Sequence, residues 1–169
     1  MKRLLVISRE YPMTLDELTA SFDHLDRDAL LEGWHWLTGE SQSPILLTAS
    51  GNAFIQDVDT GTVSFLDLGE GDVTAIADSF DEFKSLLSDK EFISSYFDVQ
   101  MVGDLRASGC LLSSGQIYSL TQPAVLGGEY ALSNIVATDI DVHFSVSGQL
   151  HHQVAALPDG SPVENVLIK

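Results

Sequence analysis

Cysteine is nearly absent. Cys110 is the only one in 169 residues, so no internal disulfide can form, and such usage suits a reducing cytoplasm. Its neighbours Gly109, Leu111 and Leu112 are small or apolar, which points to a buried structural thiol rather than a nucleophile. Basic side chains are scarce too, with only eight Lys and Arg. Nucleic-acid binding needs a basic patch, and eight cations, two of them Lys2 and Arg3 at the start, cannot build a large one. Long apolar runs are missing as well. Leu4, Leu5, Val6 and Ile7 are followed at once by Arg9 and Glu10. A secretory signal carries ~7–15 apolar residues and a membrane span ~20. Neither nucleic acid nor membrane is an expected partner, and a cytoplasmic location is.

What the chain has is acid. Twenty-five Asp and Glu leave a formal net charge of -17, while 44% of the residues are hydrophobic. A disordered acidic tail would be poor in apolar residues, so a folded domain with a strongly negative surface is expected. Such a field draws in basic partners at long range, although acidity also serves plain solubility.

Hydropathy periods divide the chain into an N-terminal helical segment, 1–40, and an α+β domain, 44–169. Thr14 and Glu17 form a capping-box pattern that predicts a helix over 14–22, and a second helix is predicted over 26–37, stopped by Gly39. On such a helix Trp34 and Trp36 point to different faces, one into the core and the other free to anchor a partner. Residues 45–49, 53–58, 62–68 and 73–77 read as an antiparallel sheet meander with turn formers between them. Helices follow over 79–87, 91–97 and 99–107, then a strand over 117–120 and a loop holding Gly127 and Gly128. Segment 139–157 fits a helix better than a strand, since Pro158 and Gly160 stop it and its length exceeds one strand. Residues 163–168 read as a closing strand that could pair with another copy at an edge.

Catalytic motifs are wanting. There is no G-x-S-x-G elbow, and the Gly127-Gly128 pair lacks the Lys and Ser or Thr of a phosphate loop. His143, His151 and His152 lack the i, i+3 or i, i+4 pairing that zinc sites prefer, apart from a further ligand elsewhere. Carboxylate pairs such as Asp139 with Asp141 miss the spacing of a calcium loop. No cofactor and no metal are expected. An enzyme would have to work through a pair such as Glu129 with His143 in a pocket.

Two stretches resemble known families. Residues 44–83, ending in IADSFDEF, look like the Smi1/Knr4-like immunity folds. Gly115, Gln116 and Tyr118, then Gly127, Gly128 and Glu129, then His143, Gln149 and His151 within VHFSVSGQLHHQV, resemble the C-terminal domain of the type VI secretion DNase-immunity (Tdi) family. That similarity runs over 44–169. In the family this domain often follows a larger GAD-like domain, for which segment 1–40 is too short to be a full copy and would be either a reduced version or an unrelated one. The resemblance implies a non-catalytic bacterial immunity protein that binds and neutralises a cognate nuclease toxin. A regulatory adaptor of Smi1-like type is the alternative. The matched glycines and polar residues can serve turns and internal hydrogen bonds as readily as toxin contact. The acidic candidates for that contact are Asp67, Glu70 and Asp72, and Asp78, Asp81 and Glu82.

Overall fold

The computed structural model describes residues 4–6 and 12–169; most of the start read above as too short for a secretory signal lies outside the described residues. Strand β1 (Leu4–Val6) pairs antiparallel with β2 (Pro12–Thr14). The main sheet has five antiparallel strands in the order β3 (Thr19–Ala20), β4 (Gln42–Thr48), β5 (Ala53–Asp57), β6 (Val63–Asp67) and β7 (Asp72–Ala77). The predicted meander is therefore found. Its strands are short apolar runs because both faces are covered. Along β5, Ala53 and Ile55 face one core, and Phe54 faces the other.

Helices α3 (Phe80–Leu86), α4 (Lys90–Tyr96) and α5 (Val99–Ala107) cover the first face. Ser79 caps α3 by accepting the Glu82 amide, and Asp89 caps α4 through the amides of Glu91 and Phe92. Phe54 stands at the centre of an aromatic cluster, with ring centroids 4.8 Å from Phe83, 5.1 Å from Phe65 and 5.5 Å from Phe97.

The opposite face carries α1 (Arg27–Leu30), α2 (His35–Thr38) and the long helix α6 (Ile140–Ala155). Segment 139–157 is thus helical, as its length suggested. Ahead of it, β8 (Gln116–Leu120) pairs with β9 (Ile135–Asp139), a strand that the sequence reading leaves out. The Tyr118 amide donates to the Ala49 carbonyl at 2.8 Å, which ties this hairpin to the end of β4.

The N-terminal helices are not as expected. Over 14–22 there is one 3-10 turn, Leu15–Leu18, and then β3. The Thr14 amide does donate to Glu17 Oε2 at 2.8 Å. But the other Glu17 oxygen meets Arg106 of α5 at 3.3 Å, and the Ala49 amide takes the Leu18 carbonyl. Tertiary pairing overrides a helical period that is only a weak prior. Over 26–37 the helix breaks into α1, a 3-10 turn Glu32–Trp34, and α2.

The break is explained by Gly33 and Gly148. A Cβ on Gly148 would run into the Gly33 carbonyl oxygen, so the turn and α6 touch backbone to backbone. Both tryptophans then serve α6. Trp34 Nε1 donates to the Phe144 carbonyl at 3.1 Å, and Trp36 Nε1 to the Gly148 carbonyl at 3.3 Å. Their rings stack at 6.2 Å. Trp34 is fully buried and Trp36 half-buried, so Trp36 is no free anchor.

Residues 163–168 form no strand. The tail is held instead by two glutamines of α6. Gln153 donates to the Leu167 carbonyl at 2.7 Å and accepts its amide at 3.0 Å. Gln149 treats Lys169 the same way, at 3.3 and 2.8 Å. Side-chain amides spaced i, i+4 on the helix stand in for the partner strand, because alternate residues of an extended chain repeat at nearly the same distance.

Gly148→Ala should lower the stability of the fold by about 1–3 kcal/mol, the usual cost of a forced contact in a packed interior. Urea denaturation followed by tryptophan emission checks this, since both indoles sit on the contact.

Candidate functional site

Alternate turns of an antiparallel meander lie at the same end of the sheet. The β4–β5 turn (50–52) and the β6–β7 turn (68–71) therefore sit side by side. Asn52 braces them: its Oδ1 accepts the Leu68 amide at 2.9 Å. Above this end lie the β8–β9 hairpin, the start of α5 and one face of α6. Between them opens a cleft of about 530 Å³. Its apolar lining includes Met101, Leu120, Ile135, Val142, Val146 and Leu150. Its polar lining includes Asp67, Glu70, Asp98, Tyr130, His143 and His151.

His143 locks the roof to the floor. Its Nε2 lies 2.8 Å from the Gly51 carbonyl and its Nδ1 3.1 Å from Ser119 Oγ. A carbonyl only accepts, so Nε2 carries the proton and Nδ1 accepts from the serine hydroxyl. That neutral tautomer is complete. Burial pushes the His143 pKa down to about 4, against a smaller upward pull from the Gly51 carbonyl. Gly51 has φ +90, and a Cβ there would lie 2.8 Å from His143 Nε2, so only glycine fits both the turn and the ring.

His151 is 7% exposed and packs tilted against Trp34, with 5.5 Å between centroids. Burial lowers its pKa, while the Leu68 and Gly69 backbone hydrogen bonds and the Glu70 and Asp67 charges oppose that. The two histidines expected to lie near one face of one helix do so, and each grips a different hairpin turn.

The acidic wall comes from three places. Asp67 Oδ1 accepts the amides of Gly69 and Glu70, each at 3.0 Å, so it shapes the turn. Glu70 faces Tyr130, whose hydroxyl donates to Glu70 Oε1 at 3.3 Å. Burial, followed by the Glu70 and Asp67 charges, pushes the Tyr130 pKa up to about 12. Asp98 is the third. It precedes α5 as the N-cap residue, yet its side chain makes no capping bond. It has φ 48 and ψ 45, the left-handed region, which no other described non-glycine residue enters. Asp98 stands exposed at the rim of the cleft; partial desolvation there raises its pKa, Ser50 opposes this by hydrogen bonding, and the Asp67 charge adds to the rise.

The remaining candidates lie elsewhere. Asp72 pairs across the β6–β7 turn with Asp67 and is exposed. The Asp78 amide takes Glu82 Oε2 at 2.8 Å, and Asp81 pairs with Lys84 at 2.8 Å, which lowers the Asp81 pKa. Those side chains serve the start of α3. Gly115 packs under the His24 ring. Gln116 Oε1 accepts the Ser113 amide at 3.0 Å. The Tyr118 hydroxyl donates to the Cys110 carbonyl. Gly127 has φ +86, and a Cβ on Gly128 would strike the Gln122 carbonyl. Glu129 is exposed, and its carbonyl accepts from Asn134. Gln149 holds the tail. Of the motif residues, Tyr118, His143 and His151 line the cleft.

Asp98 and Tyr130 escaped the sequence reading. Asp98 sits between two predicted helices, where an aspartate reads as an ordinary cap. Tyr130 sits in a loop with no periodicity. Nothing local marks either one, because the cleft is assembled from turns far apart in the chain.

The class defined so far is an α+β protein with an apolar, acid-walled cleft. Among the described residues no group of three or more His, Cys, Asp or Glu could hold a metal ion, and no helix is long and apolar enough to cross a membrane. Residues 77–151 match the family model described as T6SS immunity protein Tdi1, C-terminal. The resemblance read from the motif residues is shown over that stretch, and the family is one of type VI secretion immunity proteins, which have a toxin as partner. The match runs from the end of β7 through α3, α4, α5 and the β8–β9 hairpin into α6. No curated protein matches the chain.

The sign of the His143 effect follows from its depressed pKa. At pH above 6.5 both folded and unfolded forms hold it neutral. As pH falls from 6.5 towards 4, the unfolded chain takes up a proton that the folded one refuses, so stability declines and levels off below about 4. The full loss is about 3 kcal/mol. His143→Gln should flatten the stability curve between pH 6.5 and 4 relative to wild type, as read by denaturant midpoints across that range.

Proposed function

We propose that this chain is a non-catalytic cytoplasmic immunity protein that binds a cognate nuclease toxin and blocks it. The observation that carries the reading is the match of residues 77–151 to the immunity family, since that segment supplies the roof of the cleft and most of its lining. Charge supports the choice of target. A nuclease must be basic where it grips phosphate. A protein of net charge -17 is drawn to such a surface before contact and arrives in a favourable orientation.

Two acidic regions would take different parts in this. Asp67, Glu70 and Asp72 sit at the mouth of the cleft or on its turn, among exposed apolar side chains, where binding residues tend to lie. Asp78, Asp81 and Glu82 are exposed at the start of α3 and contribute to the long-range field rather than to close contact, because Asp81 and Glu82 already have local partners. Inhibition then comes from occupation of the toxin's phosphate-binding surface or from masking its entrance.

The test is direct. The full chain is mixed with the nuclease toxin of its own secretion system, and DNA degradation and binding rate are followed as ionic strength rises from ~0.02 to ~0.3 M. The expected outcome is protection of DNA, with an association rate that falls by about tenfold or more over that range. Unimpeded DNA cleavage at equimolar protein and low salt would sink the reading.

A further inference from the structure

The cleft between the two hairpin turns, β9 and α6 is larger than its own side chains need. Its mouth exposes apolar surface that no described residue covers: Tyr130 is 58% exposed, Val142 50% and Val136 45%. These three line the cleft itself. A soluble surface that gathers an aromatic ring and two valines around a concavity of this size has the anatomy of a binding pocket.

The charge of the cleft selects its occupant. Asp67, Glu70 and Asp98 line it, and among the described residues no Lys or Arg does. Phosphates and other anions are repelled. We propose that the cleft seats one arginine side chain presented by the toxin. The proposal rests on the immunity reading given above.

Arginine fits the lining better than other cations do. Its aliphatic stem can lie on Val136, Val142 and Val146, as long charged side chains do on apolar surface. Its planar guanidinium can stack on the exposed Tyr130 ring while its forked donors reach the carboxylates of Glu70 and Asp98. A lysine ammonium is a compact, strongly hydrated point charge and loses both the stacking and the fork. Asp98 fits this role in a further way. A helix N-cap aspartate ordinarily accepts the amides of its own first turn, but this one is held in the left-handed region and leaves those amides alone. Its carboxylate is turned to Ser50 and the Asp67 side of the cleft instead. An arginine would supply the countercharge that the wall lacks.

Two measurements test the proposal on the full chain. In the first, N-acetyl-arginine amide is titrated into labelled protein and followed by NMR. The expected result is a saturable shift of the Val136, Val142 and Val146 methyls and the Tyr130 ring, with no comparable response to the neutral isostere N-acetyl-citrulline amide. Equal responses to the two probes, or shifts spread over the acidic surface away from the cleft, overturn it. In the second, the double variant Asp98→Asn/Glu70→Gln is compared with wild type for toxin affinity. Both changes keep size and shape but remove the charge and replace one acceptor oxygen with a donor, and a loss of about tenfold or more is expected. Asp98→Gly alone should weaken toxin binding while its melting temperature stays no lower than that of wild type, because glycine suits the left-handed backbone. If the double variant binds toxin as tightly as wild type, the arginine seat falls and the immunity reading stands. If wild type binds no toxin, the immunity reading itself falls, and the seat loses its partner with it.

Discussion

The contact between Gly33 and Gly148 governs the arrangement of the rest. Two backbones meet there with no side chain between them, and on either side an indole reaches across to a carbonyl of α6. A helix carbonyl that accepts an indole as well as its own amide is fixed in rotation as well as in position. The face of α6 that carries His143, Val146, Leu150 and His151 is thereby aimed at the end of the sheet. Had the turn at 32–34 continued as helix, the two tryptophans would have diverged and α6 would have lost both donors.

From that constraint the cleft follows. His143 clamps the β4–β5 turn and His151 the β6–β7 turn, while Asn52 braces the turns to each other. Both histidines are kept neutral by burial, so they act as fixed polar struts, and the charge of the site resides in Asp67, Glu70 and Asp98. The division is economical in physical terms. Neutral groups hold the shape where water is excluded, and ionised groups stand at the opening, where their field reaches outwards. The chain's acidity is mostly spread over caps and turns, such as Asp26, Asp57 and Asp89, so the cleft is one place where acid and exposed apolar surface coincide.

Much of the fold was legible in the sequence wherever periodicity and punctuation agreed. The strands of the meander, the Ser79 cap and the length of α6 are local signals, and they are found in the structure. The losses have a common cause. Thr14 and Glu17 look like a capping box and make one, but it opens only a 3-10 turn, and β3 is claimed by the edge of β4. Gly33 looks like a tolerated glycine in a helix, and its reason lies in a glycine more than a hundred residues later. Residues 163–168 have the alternation of a strand, yet their partners are glutamine side chains, which no strand pattern announces. For the site, the acidic turn at Asp67 and Glu70 and the ring of His143 could be singled out by composition and motif. Asp98 and Tyr130 could not, since what distinguishes them is a backbone conformation in one case and a neighbour sixty residues away in the other.

The span of the tryptophan contact has a consequence for synthesis. Trp34 and the carbonyl it needs are separated by 110 residues. Nearly the whole sheet must leave the ribosome before α6 exists to receive the indole. Until then the second face of the sheet, with Leu47, Ile55 and Leu66 on it, is covered only by the short α1–α2 segment. Contacts this distant in sequence close late and slowly, and an open apolar face in the interval invites association with other chains. The acidic excess, whatever it does for the finished protein, also keeps unfinished copies apart.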